Sequence, residues 1–170
     1  MSSAGNGHFM YFAFGSNLLK RRIHHLNPSA TFHNIGRLKD YELKFGYWGD
    51  SVSCAWHGGV ATIDHCPGAE VWGVIWTLSN EHLSTLDMQE GVDIGIYTPL
   101  EVSVETDSGP KLCRTYQMNN FHASSPSPQY KKVVCLGAEE NGLPAEYLIK
   151  LNRIGTNGYS GPSLLDKLKI

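Results

Sequence analysis

Two segments of the sequence contain residues of the types and spacing expected of an active site. In the first, an apolar, strand-like run over residues 9–14 ends at Gly15-Ser16-Asn17, and a helix is predicted over residues 18–26. The N–H groups at a helix start bind carboxylates or phosphates, and glycine lets a ligand approach the backbone closely. We therefore predict a turn that holds an anionic small molecule. An ordinary strand-to-helix turn is the alternative.

The second segment is a helix predicted over residues 79–90, with Ser79 as its N-cap and Gly91 just after its end. Glu90 is its last residue, and the C-terminal end of a helix carries partial negative charge. A partly buried Glu90 is therefore expected to have a raised pKa, which suits a general base near neutral pH. A solvated glutamate at a helix end is the alternative interpretation.

The helix predicted after the first turn has one apolar face. Asn17 is the expected N-cap, because its side-chain oxygen can accept a hydrogen bond from an early helical N–H. The basic residues Lys20, Arg21 and Arg22 are expected on the outer, solvent-facing side of this helix.

The composition is that of an ordinary globular protein. The 170 residues are 41% hydrophobic and 18% charged, with a net charge of −2, which suits one domain and gives no basic surface for nucleic acid or an anionic membrane. No apolar run approaches the roughly 18 residues of a membrane span. Residues 1–8 are predicted to be a flexible tail without signal-peptide features, and residues 9–170 a single cytoplasmic domain.

The cysteines do not indicate a disulfide framework, because a core of this size needs none. The four are widely spaced, and we expect reduced thiols at Cys54, Cys66, Cys113 and Cys135. Cys54, His57, His65 and Cys66 form a spacing that zinc sites use, but two adjacent ligands are awkward in a tetrahedral site. We expect neither a metal nor a cofactor.

The remaining pattern predicts an α+β fold with a mixed, barrel-like β-sheet and surrounding helices. Residues 71–76 are apolar on both faces and predict a central strand, in which Gly73 indicates a bulge or a close approach. Pro99 predicts an edge or bulged strand. The predicted strands are 31–38, 41–45, 58–64, 70–78, 96–106 and 112–118, and two more helices are predicted at 130–136 and 144–154.

Five segments, in order, resemble stretches of the animal enzymes of the γ-glutamylcyclotransferase family. They are FAFGSNL, VWGVIW, LDMQEGV, SPSPQYKK and GAEENGLP, and the resemblance covers roughly residues 9–155. One position departs from the pattern, because Phe14 stands where the family motif usually has tyrosine. Affinity or substrate preference is therefore expected to differ if that hydroxyl contacts substrate.

The resemblance implies an enzyme that cyclises the γ-glutamyl part of γ-glutamyl amino acids or dipeptides and releases 5-oxoproline and a free amino acid. It implies Glu90 as the proton acceptor, a homodimer and no cofactor. Tyr97 is a weaker candidate for substrate contact. The substrate-binding residues predicted from the turn and from the PSPQY segment are Tyr11, Phe12, Ala13, Phe14, Gly15, Ser16, Asn17 and Tyr130.

Two alternatives stay open at this point. One is an enzyme of the same superfamily that acts on glutathione or on γ-glutamylamines. The other is a non-catalytic protein that uses the fold to hold small amides or a protein partner, against which the presence of Glu90 argues.

Overall fold

The computed structural model describes residues 7–48 and 56–161. Three short 3-10 helices, Ser16–Leu18, Asn80–His82 and Val92–Ile94, lie between the longer elements. Within the described residues the longer elements are β1 (His8–Ala13), α1 (Lys20–Leu26), β2 (Thr31–Trp48), β3 (Val60–Ser79), α2 (Leu83–Gln89), β4 (Tyr97–Thr106), β5 (Gly109–Met118), β6 (Phe121–Ala123), α3 (Pro128–Glu140) and α4 (Ala145–Asn152).

Five of the strands close into a barrel. Their order is β3-β1-β5-β4-β2, and β2 pairs again with β3, while β6 extends β2 on the outside. β1 and β5 run parallel, and the other paired strands run antiparallel. The mixed, barrel-like sheet predicted from the sequence is confirmed.

The two longest strands, β2 and β3, are each continuous where the sequence predicted a break. Asp40 has a φ of 67°, which bends β2 and shifts the register of its pairing with β3. On the opposite strand the N–H of Gly68 donates a hydrogen bond of 3.0 Å to the Asp40 carboxylate. The turn signals in the sequence therefore mark an irregularity shared by two paired strands, which resume their ladder on either side.

The apolar segment 71–76 lies in the middle of the sheet, as predicted, because β3 pairs with both β1 and β2. Val71, Val74, Ile75 and Trp76 are completely buried. By contrast Pro99 lies in β4, which contacts β2 at one register position, so most of β4 has a single partner strand. That position matches the edge location expected for a proline.

The helices are displaced from their predicted bounds for local reasons. The helix predicted from residue 18 begins at Lys20, after one 3-10 turn. The helix predicted from Ser79 begins with the 3-10 helix Asn80–His82, which Ser79 caps by accepting a hydrogen bond of 3.4 Å from the N–H of Glu81. α2 follows at Leu83 and has no side-chain cap of its own. α3 begins earlier than predicted because Ser127 caps it, and Pro128 occupies the first turn.

Gly73 is required where β3 crosses β1. A Cβ atom added there would lie 2.2 Å from the carbonyl oxygen of Ala13 and 2.8 Å from the ring of Phe12. The close approach predicted from the sequence therefore explains why residue 73 is glycine, because any side chain there would push β1 and β3 apart.

We expect Gly73→Ala to destabilise the protein by about 1–3 kcal/mol, because the added methyl group overpacks a backbone contact. Gly155→Ala is the matched control, since a Cβ there meets no atom within 4 Å. Urea unfolding of both variants measures the difference. Equal midpoints for the two variants would show that the β1–β3 contact tolerates a side chain.

Candidate active site

A cavity of about 490 Å³ lies between the barrel, the turn after β1 and the segment after α2. Most of the predicted site residues line it, although they come from distant parts of the chain. They are Tyr11, Phe14, Gly15, Ser16, Asn17, Glu90 and Tyr130, and Tyr97 joins them.

Phe12 and Ala13 are not among the residues that line the cavity. Phe12 is completely buried in the core, and its carbonyl accepts a hydrogen bond of 2.9 Å from the hydroxyl of Thr115. Ala13 is also buried and contacts β3. Because side chains alternate along a strand, β1 presents Tyr11 to the cavity and its next residue to the core.

Asn17 is not the helix cap that the sequence predicted, because Leu19 occupies that position and no side chain caps α1. Asn17 is buried, and its side-chain amide donates to the hydroxyl of Tyr11 at 3.1 Å. Its side-chain oxygen accepts from Gln89 at 3.5 Å, and its carbonyl accepts from the indole of Trp76 at 2.9 Å. The residue thus joins the turn to β1, β3 and the end of α2.

The end of α3 holds the other side of the turn. A Cβ at Gly137 would lie 2.6 Å from the backbone of Leu18, so glycine allows the helix to reach the turn. Asn141 donates a hydrogen bond of 2.7 Å to the carbonyl of Leu18, and Glu140 accepts one of 3.0 Å from the N–H of Lys20. The segment GAEENGLP therefore acts by positioning the turn.

Glu90 occupies the predicted position directly after α2, with Gly91 in the left-handed conformation at a φ of 69°. Its pKa is raised to about 7, chiefly because burial disfavours the charged carboxylate. Asp87 raises the pKa further, whereas Arg22 opposes the shift. The raised pKa expected from the helix end is present, and its largest cause is burial.

Three of the tyrosines that line the cavity have a pKa that the charge of Glu90 raises. The pKa of Tyr130 is raised to about 12, and the pKa values of Tyr11 and Tyr97 are also raised, in each case mainly by burial and further by the charge of Glu90. All three therefore remain neutral. The hydroxyl of Tyr97 donates to the carbonyl of Ala61 at 2.8 Å, and the N–H of Ala61 donates to the hydroxyl of Tyr130 at 2.9 Å.

Gly15 lets the turn approach this tyrosine cluster. A Cβ at Gly15 would lie 2.9 Å from the hydroxyl of Tyr130 and 2.9 Å from the Cβ of Ala61. Its φ of −119° is open to any residue, so close approach, and not a special backbone conformation, explains the glycine.

An ion pair that the sequence did not predict supports the cavity wall. The carboxylate of Asp87 accepts two hydrogen bonds from Arg114, at 2.7 and 3.1 Å, and one from the hydroxyl of Tyr116. The ring of Tyr116 meets that of Tyr11 edge-to-face at 5.9 Å. These residues are far apart in sequence, so no local spacing could indicate their contact.

Arg22 lies on the cavity side of α1, although its predicted place was the outer face. Lys20 and Arg21 are exposed as expected, whereas Arg22 is partly buried and lines the cavity. The carbon of its guanidinium lies 5.7 Å from the ring centroid of Trp56.

Among the described residues, no three histidine, cysteine, aspartate or glutamate side chains come together as metal ligands. His57 stacks on Tyr159 and His65 meets Tyr41 edge-to-face, so the two histidines of the zinc-like spacing have separate aromatic partners. Cys54 lies outside the described residues. The thiols of Cys66, Cys113 and Cys135 are free. No helix within the described ranges has the length and apolar character needed to cross a membrane.

Comparisons with known proteins show the family of this chain. A model of the AIG2-like family matches residues 70–151. The γ-glutamylcyclotransferase of Bos taurus is 56% identical to this chain over 154 residues, which are 90% of this chain and 82% of that protein. The γ-glutamylcyclotransferase of Homo sapiens is 53% identical, again over 90% of this chain and 82% of that protein. A solved γ-glutamyl cyclotransferase structure, 49% identical, superimposes with a TM-score of 0.92 over 95% of this chain and 98% of that one. This chain therefore belongs to the γ-glutamylcyclotransferase family.

Proposed function

We propose that this protein cyclises the γ-glutamyl part of γ-glutamyl amino acids, with Glu90 as general base and then general acid. The observation that carries the proposal is a carboxyl group of pKa about 7 that lines a cavity of about 490 Å³ beside neutral tyrosines. Such a carboxyl is able both to accept and to return a proton near neutral pH.

The reaction needs no protein nucleophile, because the attacking group belongs to the substrate. The α-amine of the glutamyl part forms a bond to its own γ-carbonyl carbon, and the amide bond to the acceptor amino acid breaks. Two protons pass from the attacking nitrogen to the leaving nitrogen, so the products are 5-oxoproline and a protonated free amino acid. Glu90 carries these protons in succession, and no metal or cofactor takes part.

The turn supplies the geometry for ring closure. A flexible glutamyl chain must be folded until its amine and γ-carbonyl meet, and holding it there removes much of the entropic barrier. We assign this task to the backbone at Gly15, Ser16 and Asn17. The N–H of Ser16 already donates to Tyr130, so the N–H groups of Gly15 and Asn17 are assigned to the glutamyl α-carboxylate. The buried hydrogen bonds of Asn17 hold the turn in place for it.

Tyr130 is the tyrosine best placed to donate to the substrate. Its hydroxyl oxygen accepts hydrogen bonds from the backbone N–H groups of Ala61 and Ser16, which leaves its proton available. The hydroxyl of Tyr97, by contrast, already donates its hydrogen bond to the carbonyl of Ala61. A neutral donor at Tyr130 would stabilise the negative charge that develops on the γ-carbonyl oxygen.

A cytoplasmic location and a homodimer remain predictions from the sequence and from the family resemblance. The mass of one chain is 18.8 kDa, so sedimentation analysis distinguishes a dimer from a monomer directly.

We expect Glu90→Gln to lower 5-oxoproline release from γ-glutamyl-alanine by at least about 100-fold, because general acid–base catalysis typically contributes that much. The measurement is product release by the purified protein. Glu81→Gln is the matched control, since Glu81 is exposed and does not line the cavity. If Glu90→Gln released 5-oxoproline at the wild-type rate, Glu90 would not be the catalytic acid and base.

The same substitution should not weaken the fold. The pKa of Glu90 is about 7 when folded and about 4.5 when unfolded, so wild type loses stability as the pH rises through that interval. Glutamine has no charge to bury. The free energy of unfolding of Glu90→Gln relative to wild type should therefore rise between pH 4.5 and 7, as urea titrations at pH 4 and pH 8 would measure.

The pH dependence of kcat/KM should have an acidic limb with an apparent pKa of about 7, because protonated Glu90 cannot accept a proton from the substrate ammonium. Initial rates from pH 5 to 9 measure this limb. A limb near pH 4.5, where an ordinary glutamate titrates, would show that Glu90 is not the group that limits the rate.

A further inference from the structure

The cavity contains a cation with a buried hydrogen-bond donor that lacks an acceptor in the described residues. Within residues 7–48 and 56–161, Arg22 is the one cationic side chain that lines it. The Nε atom of Arg22 is buried and has no hydrogen-bond partner there. A buried donor without an acceptor costs free energy, which points to a ligand that supplies the acceptor.

The guanidinium of Arg22 lies against an aromatic ring. Its carbon is 5.7 Å from the ring centroid of Trp56, a distance at which a cation and an aromatic ring attract each other. That contact restrains Arg22, while its Nε–H lacks an acceptor within the described residues. A carboxylate is the planar anion that such a fork binds through two parallel hydrogen bonds.

We propose that Arg22 binds the carboxylate of the acceptor amino acid, which is the part of the substrate released in the reaction. The inference rests on the proposed function. A γ-glutamyl amino acid has two carboxylates, one on each side of the scissile amide, and the turn is assigned to the glutamyl one. The remaining carboxylate is one carbon from the leaving nitrogen, and Arg22 is the cation left to meet it.

This assignment makes Arg22 a specificity-determining residue. A γ-glutamylamine has no carboxylate on the carbon next to the leaving nitrogen. In glutathione that carboxyl group is consumed in a peptide bond, and the free carboxylate lies one residue further out. Glutathione and the γ-glutamylamines, the two alternative substrates considered from the sequence, therefore lack the group that Arg22 is placed to bind.

The charge of Arg22 also links acceptor binding to proton transfer. Arg22 lowers the pKa of Glu90 in the empty cavity. A carboxylate paired with Arg22 offsets that effect, so Glu90 holds a proton more strongly once the acceptor is bound. A carboxyl group that retains its proton is the better acid for the leaving amine.

The test compares γ-glutamyl-alanine with γ-glutamyl-alaninamide, in which the acceptor carboxylate is replaced by a neutral amide of nearly the same size. Wild type, Arg22→Gln, Arg22→Lys and Arg21→Gln are assayed for 5-oxoproline release, each at its own pH optimum so that changes in Glu90 protonation do not enter. Arg21→Gln is the matched control, because Arg21 is exposed on the same helix and does not line the cavity.

In wild type, kcat/KM should fall about 10- to 100-fold from the acid to the amide, mainly through KM, as loss of a charge-assisted hydrogen bond predicts. Arg22→Gln should lose a similar factor on γ-glutamyl-alanine and little on γ-glutamyl-alaninamide. Arg22→Lys should recover part of the loss, and Arg21→Gln should behave as wild type.

An equal loss on both substrates in Arg22→Gln would overturn the proposal, because Arg22 would then act on the glutamyl part or on the fold. Arg22→Gln is then assayed with γ-glutamyl-alanine in which the α-carboxylate of the glutamyl part is amidated. If Arg22→Gln no longer lowers kcat/KM for that substrate, the partner of Arg22 is the glutamyl carboxylate. The proposal would also be overturned if the wild-type protein had the same kcat/KM for γ-glutamyl-alanine and γ-glutamyl-alaninamide.

Binding separates this proposal from the proposed reaction. Calorimetry in the Glu90→Gln background, with and without Arg22→Gln, measures the affinity for γ-glutamyl-alanine without turnover. Weaker binding of the acid but not of the amide in the double variant supports Arg22 even if wild type releases no 5-oxoproline. Unchanged binding removes Arg22 from the substrate site whatever the turnover.

Discussion

The geometry of the cavity depends on the buried hydrogen bonds of Asn17. One amide residue ties the turn to the indole of Trp76 in β3, to the hydroxyl of Tyr11 in β1 and to Gln89 at the end of α2. Gln89 is followed directly by Glu90, so the same network connects the proposed substrate turn to the proposed base. Buried polar groups are costly unless satisfied, and a network of this kind therefore favours a single arrangement.

The closed barrel supplies the rigid frame for this network. A five-stranded ring has no free edge between β1 and β3, and close contacts at Gly73 and Gly137 set the distances at which the turn, β3 and α3 meet. The side chains of Tyr11, Tyr97 and Tyr116 extend from three strands of this frame to the cavity wall. Rigid elements hold reacting groups more accurately than loops do.

The low polarity of the cavity has a chemical use and a thermodynamic cost. Burial raises the pKa of Glu90 to about 7, which disfavours the folded state at alkaline pH but suits a proton carrier. Neutral tyrosines around it donate hydrogen bonds without adding charge. Among the described residues Arg22 is the cation of the cavity wall, and the proposed substrate has two carboxylates and one ammonium group.

Local patterns in the sequence determined much of this protein. Runs of β-branched and aromatic residues between turn signals predicted most strands, and Gly91 marked the end of α2. These features depend on near neighbours in the chain. The family resemblance added the roles proposed for Glu90 and Tyr130.

Only the tertiary structure decided which side chains meet in the cavity. Asn17 has the residue type of a helix cap, yet its partners are Tyr11, Gln89 and Trp76, of which the last two are far along the chain. Arg22 belongs to a run of basic residues that predicts an exposed face, but closure of the barrel places it against Trp56. Such contacts join residues tens of positions apart, and local spacing contains no information about them because they form only when distant strands pair.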